Sequence, residues 1–191
     1  PQNRSRYFLV AIKGEYIYNF PSKMKLEKKL KDFIEKDTKK ENILSEKVYF
    51  DLEDFIKNKD TKKEYKLKCK NLKKKNYNFV INLYRFIDGK NVCGYDESCS
   101  YNQSKRLWSM NGYCPTLTAN SPEDNSKMII YKNSHFFVKK IIPLESWRFM
   151  GFSDEDFYKA KNSGISKRQL FKQAGNSIVV DVIYNVLKNL F

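Results

Sequence analysis

Six consecutive apolar residues, Tyr7-Phe8-Leu9-Val10-Ala11-Ile12, place the strongest constraint on what this chain can fold into. A strand with one wet face alternates apolar and polar side chains, whereas a strand buried on both faces of a mostly parallel sheet is apolar throughout. The run therefore predicts a doubly covered strand, and nothing nearby in the sequence supplies its neighbours. It falls far short of the roughly 20 residues a membrane span needs, and no charged-then-apolar leader precedes it. The expectation is a soluble, unexported, cytoplasmic protein with no membrane partner.

Downstream the apolar periodicity changes. After Pro21, Ser22 is a candidate N-cap, and Leu26, Leu30, Phe33 and Ile34 recur at helical spacing with lysines on the other face. Residues 35–47 read as polar linker. Val48 to Ile56 predicts a short strand running into a helix, and Lys57 to Lys75 a lysine-dense loop. Phe79 to Ile87 followed by Asp88-Gly89 reads as a strand into a turn, and Met128–Tyr131 with Phe136–Val138 as a hairpin. The stretch 93–120 between them is too long for a simple connector and suits recognition.

The last third is punctuated for helices. Pro143 and Gly151 bracket a short one, Ser153 opens a second with acidic residues in its first turn, and Ser166 with Gln169 forms a capping box for a third. A final helix is predicted after Gly175-Asn176-Ser177. Its stripe of Val179, Val182, Ile183, Val186, Leu187 and Leu190, widened by Ile178 and Val180, expects burial against a large partner surface.

The 191 residues carry 37 Lys and Arg against 22 Asp and Glu, a net charge of +15, of which +8 falls in residues 22–75. A hydrophobic fraction of 41% is too high for a disordered basic tail, which lacks the apolar surface that offsets chain entropy. Concentrated charge suits a polyanion-facing surface, although a lysine surplus alone does not identify the partner. Cys69, Cys93, Cys99 and Cys114 match no zinc-ligand spacing, and the single histidine, His135, lies well away from them. Free thiols and no metal are expected.

Three segments, in one order, resemble the second half of the cytosine-5 DNA methyltransferases. Gln2-Asn3-Arg4-Ser5-Arg6, leading into the apolar run, is similar to the family's eighth motif. Pro143-Leu144-Glu145-Ser146-Trp147-Arg148-Phe149-Met150-Gly151-Phe152 resembles the ninth, and Gln173-Ala174-Gly175-Asn176-Ser177-Ile178-Val179-Val180 the tenth. Pro115-Thr116-Leu117-Thr118-Ala119 resembles the Thr-Leu loop of its target recognition domain. The family's glycine-bearing cofactor motif, its Pro-Cys nucleophile and its Glu-Asn-Val segment do not occur here. The one Cys beside a Pro, Cys114, stands in the reversed order, so no cysteine of this chain is expected to be the nucleophile. Beginning at the eighth motif, the chain is expected to be a fragment or one half of a split enzyme, partnered by double-stranded DNA and by the missing N-terminal catalytic portion.

The resemblance implies roles residue by residue. Arg6 would contact the flipped cytosine or its phosphate with Arg4 in support, because a guanidinium bonds such oxygens bidentately and stays charged. Asn176 and Ser177, at the start of the last helix, would face the carboxylate of S-adenosylmethionine. Gln103 and Arg106 would enter the opened base stack and read a guanine. Thr116 and Thr118 would bond phosphates, and the face bearing Lys25, Lys28, Lys29 and Lys31 would position the duplex. Without the resemblance, Gly-Asn-Ser reads as a helix stop and restart, each lysine as a solvated charge, and the two arginines as strand-edge side chains.

The implied fold is α+β. A small, partly antiparallel recognition sheet at 22–142, with its lysine-rich connector, lies between a strand at 1–21 and helices at 143–191 that complete a doubly wound S-adenosylmethionine-dependent methyltransferase domain. The implied function is target recognition in a prokaryotic restriction-modification enzyme that cannot methylate without its other portion. The alternatives are a non-catalytic, sequence-specific DNA-binding module derived from that family, and a basic RNA- or ribosome-associated protein, which would leave the ordered motifs unexplained.

Overall fold

Two residues with left-handed backbone, Asn133 (φ 53°) and Ser134 (φ 59°), reverse the chain between β6 (Lys127–Lys132) and β7 (His135–Lys140). Positive φ at both central positions matches the right-handed twist of the flanking strands, so the expected hairpin forms, and it is longer than its apolar residues suggested. The computed structural model describes residues 7–37, 39–44, 48–49, 64–70, 76–89, 92–96, 106–114, 116–117 and 127–190.

Around that hairpin lies a mixed sheet of seven strands among the described residues. Its other strands are β1 (Val48–Tyr49), β2 (Glu64–Lys70), β3 (Asn76–Asn82), β4 (Val92–Asp96) and β5 (Arg106–Ser109), in the order β1-β7-β6-β5-β4-β3-β2. Every pairing is antiparallel except β5 with β6, which run parallel from Leu107 opposite Lys127 to Ser109 opposite Ile129. Parallel neighbours cannot be joined by a tight turn. The described residues that follow β5, 110–114 and 116–117, bury Cys114 and Leu117 in one cluster with Trp108 and Met128.

Alternation along the strands splits the core in two. Trp108, Met128, Ile130 and Phe137 face one cluster, while Leu107, Ile129, Phe136 and Val138 join Ile81, Phe86 and Cys93 in the other. Both faces of β5, β6 and β7 are covered, which is why these strands read as continuous apolar runs.

Three punctuated helices lie on the first face: α2 (Pro143–Phe149), α3 (Asp154–Asn162) and α4 (Lys167–Asn176). The short α1 (Leu83–Ile87) precedes them in the chain and α5 (Val180–Lys188) follows. The Ser153 hydroxyl accepts from the Asp156 amide at 3.1 Å and Ser166 from the Gln169 amide at 3.3 Å, the two expected caps. Trp147 Nε1 donates to the Leu170 carbonyl at 2.9 Å, tying α2 to α4, and its ring sits 5.7 Å from that of Phe157 on α3. Leu144, Trp147, Phe149, Phe157, Leu170 and Ala174 thus share one core with the sheet.

Four expectations are corrected. Tyr7 to Ile12 forms no strand: Tyr7 is 104% and Leu9 94% exposed, because none of the described strands pairs with them. The helix expected from Ser22 reduces to a single 3-10 turn at Leu30–Asp32. Lysines three and four apart repel along a helical face, and the Leu30 and Lys31 amides instead donate to Gly112 and Met110 carbonyls at 3.0 and 2.9 Å. Within the supposed loop 57–75, Glu64–Lys70 is a strand paired along its length with β3. The strand expected to run to Ile87 stops at Asn82, whose Oδ1 accepts the Arg85 amide at 2.9 Å and starts α1. The helix expected before Ile56 lies outside the described residues.

Candidate nucleic-acid interface

The turn after β5 is built from short polar side chains. Ser109, fully buried, donates its hydroxyl to the Phe86 carbonyl at 3.2 Å and accepts the Asn111 amide at 3.1 Å, and Asn111 Nδ2 reaches the same carbonyl at 3.3 Å. Gly89, at φ +69°, approaches so closely that a Cβ there would lie 3.0 Å from the Asn111 oxygen. These contacts pin the turn to the end of α1 and set where Tyr113 leaves the sheet.

Onto this turn the lysine-rich segment is strapped. Besides the two backbone bonds from Leu30 and Lys31, Tyr113 Oη donates to the Leu26 carbonyl at 3.2 Å, and Lys29 Nζ lies 3.8 Å from the centroid of the Tyr113 ring. That distance is well inside the range of an effective cation–π contact. Lys25 and Lys28 are exposed and Lys29 half-buried. Thr116 sits between buried Cys114 and Leu117, three residues from Tyr113. Arg106 is half-buried at the start of β5, opposite Tyr95 and roughly 10 Å along the strand from Ser109 at 3.3 Å per residue. Lys29 is thus held against Tyr113, three residues before Thr116 in the chain, while Arg106 lies at the far end of the short strand β5. Gln103, Thr118, Arg4 and Arg6 lie outside the described residues.

The expected cofactor residues need a correction of position. Asn176 is the last residue of α4 and Ser177 its C-cap, whose hydroxyl donates to the Ala174 carbonyl at 2.8 Å. This is the negative end of a helix dipole, not the positive start of the last helix. The final helix begins at Val180, and its first amide is taken by the Met150 carbonyl at 2.9 Å.

Two ion-paired features, one buried and one exposed, escaped the sequence reading. Glu145 and Lys139, both inaccessible to solvent, form an ion pair in which the Lys139 ammonium donates to Glu145 Oε1. The same oxygen accepts the Glu35 amide and Oε2 the Ile142 amide, each at 3.0 Å. Arg148 clasps Asp154 bidentately at 2.7 and 2.6 Å and reaches the Phe33 carbonyl and Glu35 at 3.3 Å. The Asp154 hydrogen bonds hold the guanidinium above its usual range, and they hold the Asp154 carboxyl below the usual carboxylate range. Beside these groups lies a groove of ≈ 790 Å³ with an apolar floor, including Leu144 and Phe157, and a rim of both signs. No local pattern marks Lys139 or Glu145 as paired, since the partners meet only when β7 and α2 pack.

Cys93 and Cys114 are free and buried, and burial pushes both thiols far above their ordinary range, as inert structural cysteines require. Among the described residues no cluster of three or more His, Cys, Asp or Glu could hold a metal, and no helix is long and apolar enough to cross a membrane.

The two ends of the described chain meet. Tyr18 Oη donates to the Val186 carbonyl at 2.5 Å, Tyr16 Oη to the Asn189 carbonyl at 3.4 Å, and Asn189 Nδ2 to the Asn19 carbonyl at 2.8 Å. Yet α5 buries no residue, leaving Val180, Val182, Tyr184 and Leu187 exposed. The burial expected for its stripe is not supplied within the described residues.

Comparison with known proteins bears on the whole chain. Over 88 residues it is 42% identical to the orphan methyltransferase M.SPBetaI of Bacillus phage SPbeta, covering 46% of this chain and 19% of that protein. It is 37% identical over 78 residues to the type II methyltransferase M.Bsp6I of Bacillus sp. (strain RFL6), covering 41% and 23%. Over 53 residues it is 47% identical to the type II methyltransferase M2.ScrFI of Lactococcus lactis subsp. cremoris, covering 28% and 14%. The chain thus aligns with about a fifth of the length of these relatives. The family model for C-5 cytosine-specific DNA methylase matches residues 1–191, and the chain belongs to that family.

Proposed function

We propose that this chain is the C-terminal, target-recognising portion of a cytosine-5 DNA methyltransferase of a restriction-modification system. It divides into the end of a catalytic domain at 1–21, a recognition domain at 22–142 and a return to the catalytic domain at 143–191. One observation carries the reading. Described residues between Leu30 and Ala174 bury a two-sided core, while the flanking segments, Tyr7 to Phe20 and α5, expose the apolar side chains of Tyr7, Leu9, Ile17, Val182 and Leu187. Such a surface is what a missing catalytic lobe would cover.

In the complete enzyme the target cytosine leaves the base stack, a thiolate of the other portion attacks C6, and C5 is methylated before elimination restores the ring. Unstacking costs a few kcal/mol, offset by contacts in the pocket and along the phosphates. This chain would contribute Arg6 and Arg4 at the flipped base and Gln103 and Arg106 at the base edges. Thr116, Thr118, Lys25, Lys28 and Lys29 would hold the backbone.

S-adenosylmethionine supplies the methyl group when bound. The residues here fit only one edge of it. Asn176 is exposed and its side-chain amide can donate to a carboxylate, but it does so from a helix C-terminus, without dipole assistance.

Mixing the chain with a polypeptide carrying the Pro-Cys portion tests the reading. Transfer of a labelled methyl group to cytosine in duplex DNA by the mixture, and by neither component alone, is the expected result. Inactivity of the mixture while the chain still binds duplex selectively would favour a non-catalytic DNA-binding module.

A further inference from the structure

We propose that Tyr113 is a positioning residue that presents Lys25, Lys28 and Lys29 as one phosphate track beside the Thr116 segment. The proposal rests on the DNA-recognition reading above and adds to it the residue that orients the lysines. Tyr113 is bonded at both ends of its side chain: its ring lies under the Lys29 ammonium, and its hydroxyl holds the Leu26 carbonyl. Those two contacts bracket Lys28 and lie one residue beyond Lys25, in a segment that has no helix of its own to order it. Leu30, fully buried, closes the far end through its bond to Gly112.

An exposed lysine loses rotamer and backbone freedom when it meets a phosphate. A segment already fastened to the recognition turn loses less. The ring faces one side of the Lys29 ammonium and leaves the group donors for an anion, since an ammonium has three and the ring occupies one direction. Because Tyr113 lies three residues before Thr116 in the chain, the same side chain would link the position of the lysines to that of Thr116. Backbone neutralisation and base reading would then occur in one register.

The test is the salt dependence of duplex binding by the chain, because the slope of log affinity against log salt counts neutralised phosphates at about 0.9 each and is blind to ordinary loss of packing. Tyr113→Leu removes the ring and hydroxyl but no charge. It is expected to lower the slope by about 1.8, the equivalent of two phosphates. Tyr113→Phe keeps the ring under Lys29, frees only the Leu26 end, and is expected to lower the slope by about 0.9; it decides the matter if the leucine variant does not fold. Replacing Lys25, Lys28 and Lys29 together with Met provides the reference loss.

A slope unchanged in both Tyr113 variants, with a reduced slope in the lysine variant, would overturn the positioning role and leave the DNA reading intact. An unchanged slope in the lysine variant would remove the phosphate track itself, and the proposal with it.

Discussion

Lys139 and Glu145 face each other across the junction of β7 and α2 with no access to water, but they do not depend on each other equally. Glu145 also accepts the Glu35 and Ile142 amides, so it keeps two hydrogen bonds if the lysine is removed. Breaking a buried pair from one side costs about 3–5 kcal/mol because the other charge is left uncompensated. Glu145→Ala, which strands Lys139 and frees two amides, should therefore reach that range in urea unfolding. Lys139→Met should cost visibly less, and equal losses would show that the two amide bonds do not support the carboxylate.

Arg148 and Asp154 make the opposite kind of pair, bidentate but substantially exposed. The folded carboxyl titrates below its unfolded value of about 3.9. Its contribution is thus present above that pH and is lost as the pH falls through the folded value. An exposed pair contributes at most about 1 kcal/mol. Asp154→Asn should lower the melting temperature slightly at pH 7 and show a shallower decline below about pH 4 than the parent. Parallel curves over that acidic range would rule the pair out as a source of stability.

Gly151 ends α2 at φ +89°, and a Cβ built on it would lie 3.1 Å from the Cβ of Val180. Gly151→Ala therefore combines a left-handed penalty of about 1–2 kcal/mol with a displaced α5. Hydrogen exchange at the Val180 amide, which bonds the Met150 carbonyl, is the sensitive reporter and should accelerate. Unaltered protection would mean that the start of α5 does not depend on that contact.

Arg106, at the start of β5, is proposed to read a guanine, and Lys25 to contact a phosphate. Loss of one bidentate base contact costs about 1–3 kcal/mol of discrimination. In selection from a random duplex pool, Arg106→Ala should flatten the preference at one position, whereas Lys25→Met should weaken all sequences alike and leave the preference unchanged. Uniform weakening by Arg106→Ala would reassign that side chain to the backbone.

How much of this was legible in the residues depended on the range of the interactions. The caps at Ser153 and Ser166, the bracket of Pro143 and Gly151, and the Asn133-Ser134 turn all rest on contacts within a few residues, and each appears where the pattern placed it. Three expectations failed where a distant partner, or the lack of one, prevailed, and a fourth where a local cap did. Leu30 and Lys31 gave their amides to carbonyls about eighty residues on instead of forming a helix turn, and Glu64–Lys70 found a strand partner despite its lysines. Asn82 capped a helix where its apolar neighbours suggested continued strand, and Tyr7 to Ile12 found no sheet among the described residues. Within the candidate site, the motif-like segments named the residues that are proposed to act. The Tyr113 strap and the reversal of Asn176 from a helix start to a helix end were not legible in them.

By itself, the order of amino acids determined the family of this protein, its three C-terminal helix starts and its central hairpin, because those rest on local chemistry and on motif spacing. Tertiary structure alone decided that β5 lies parallel to β6, and that a lysine and a glutamate meet in the interior. Both are settled by which surfaces pack together once the chain is compact, and no neighbouring residue encodes that choice.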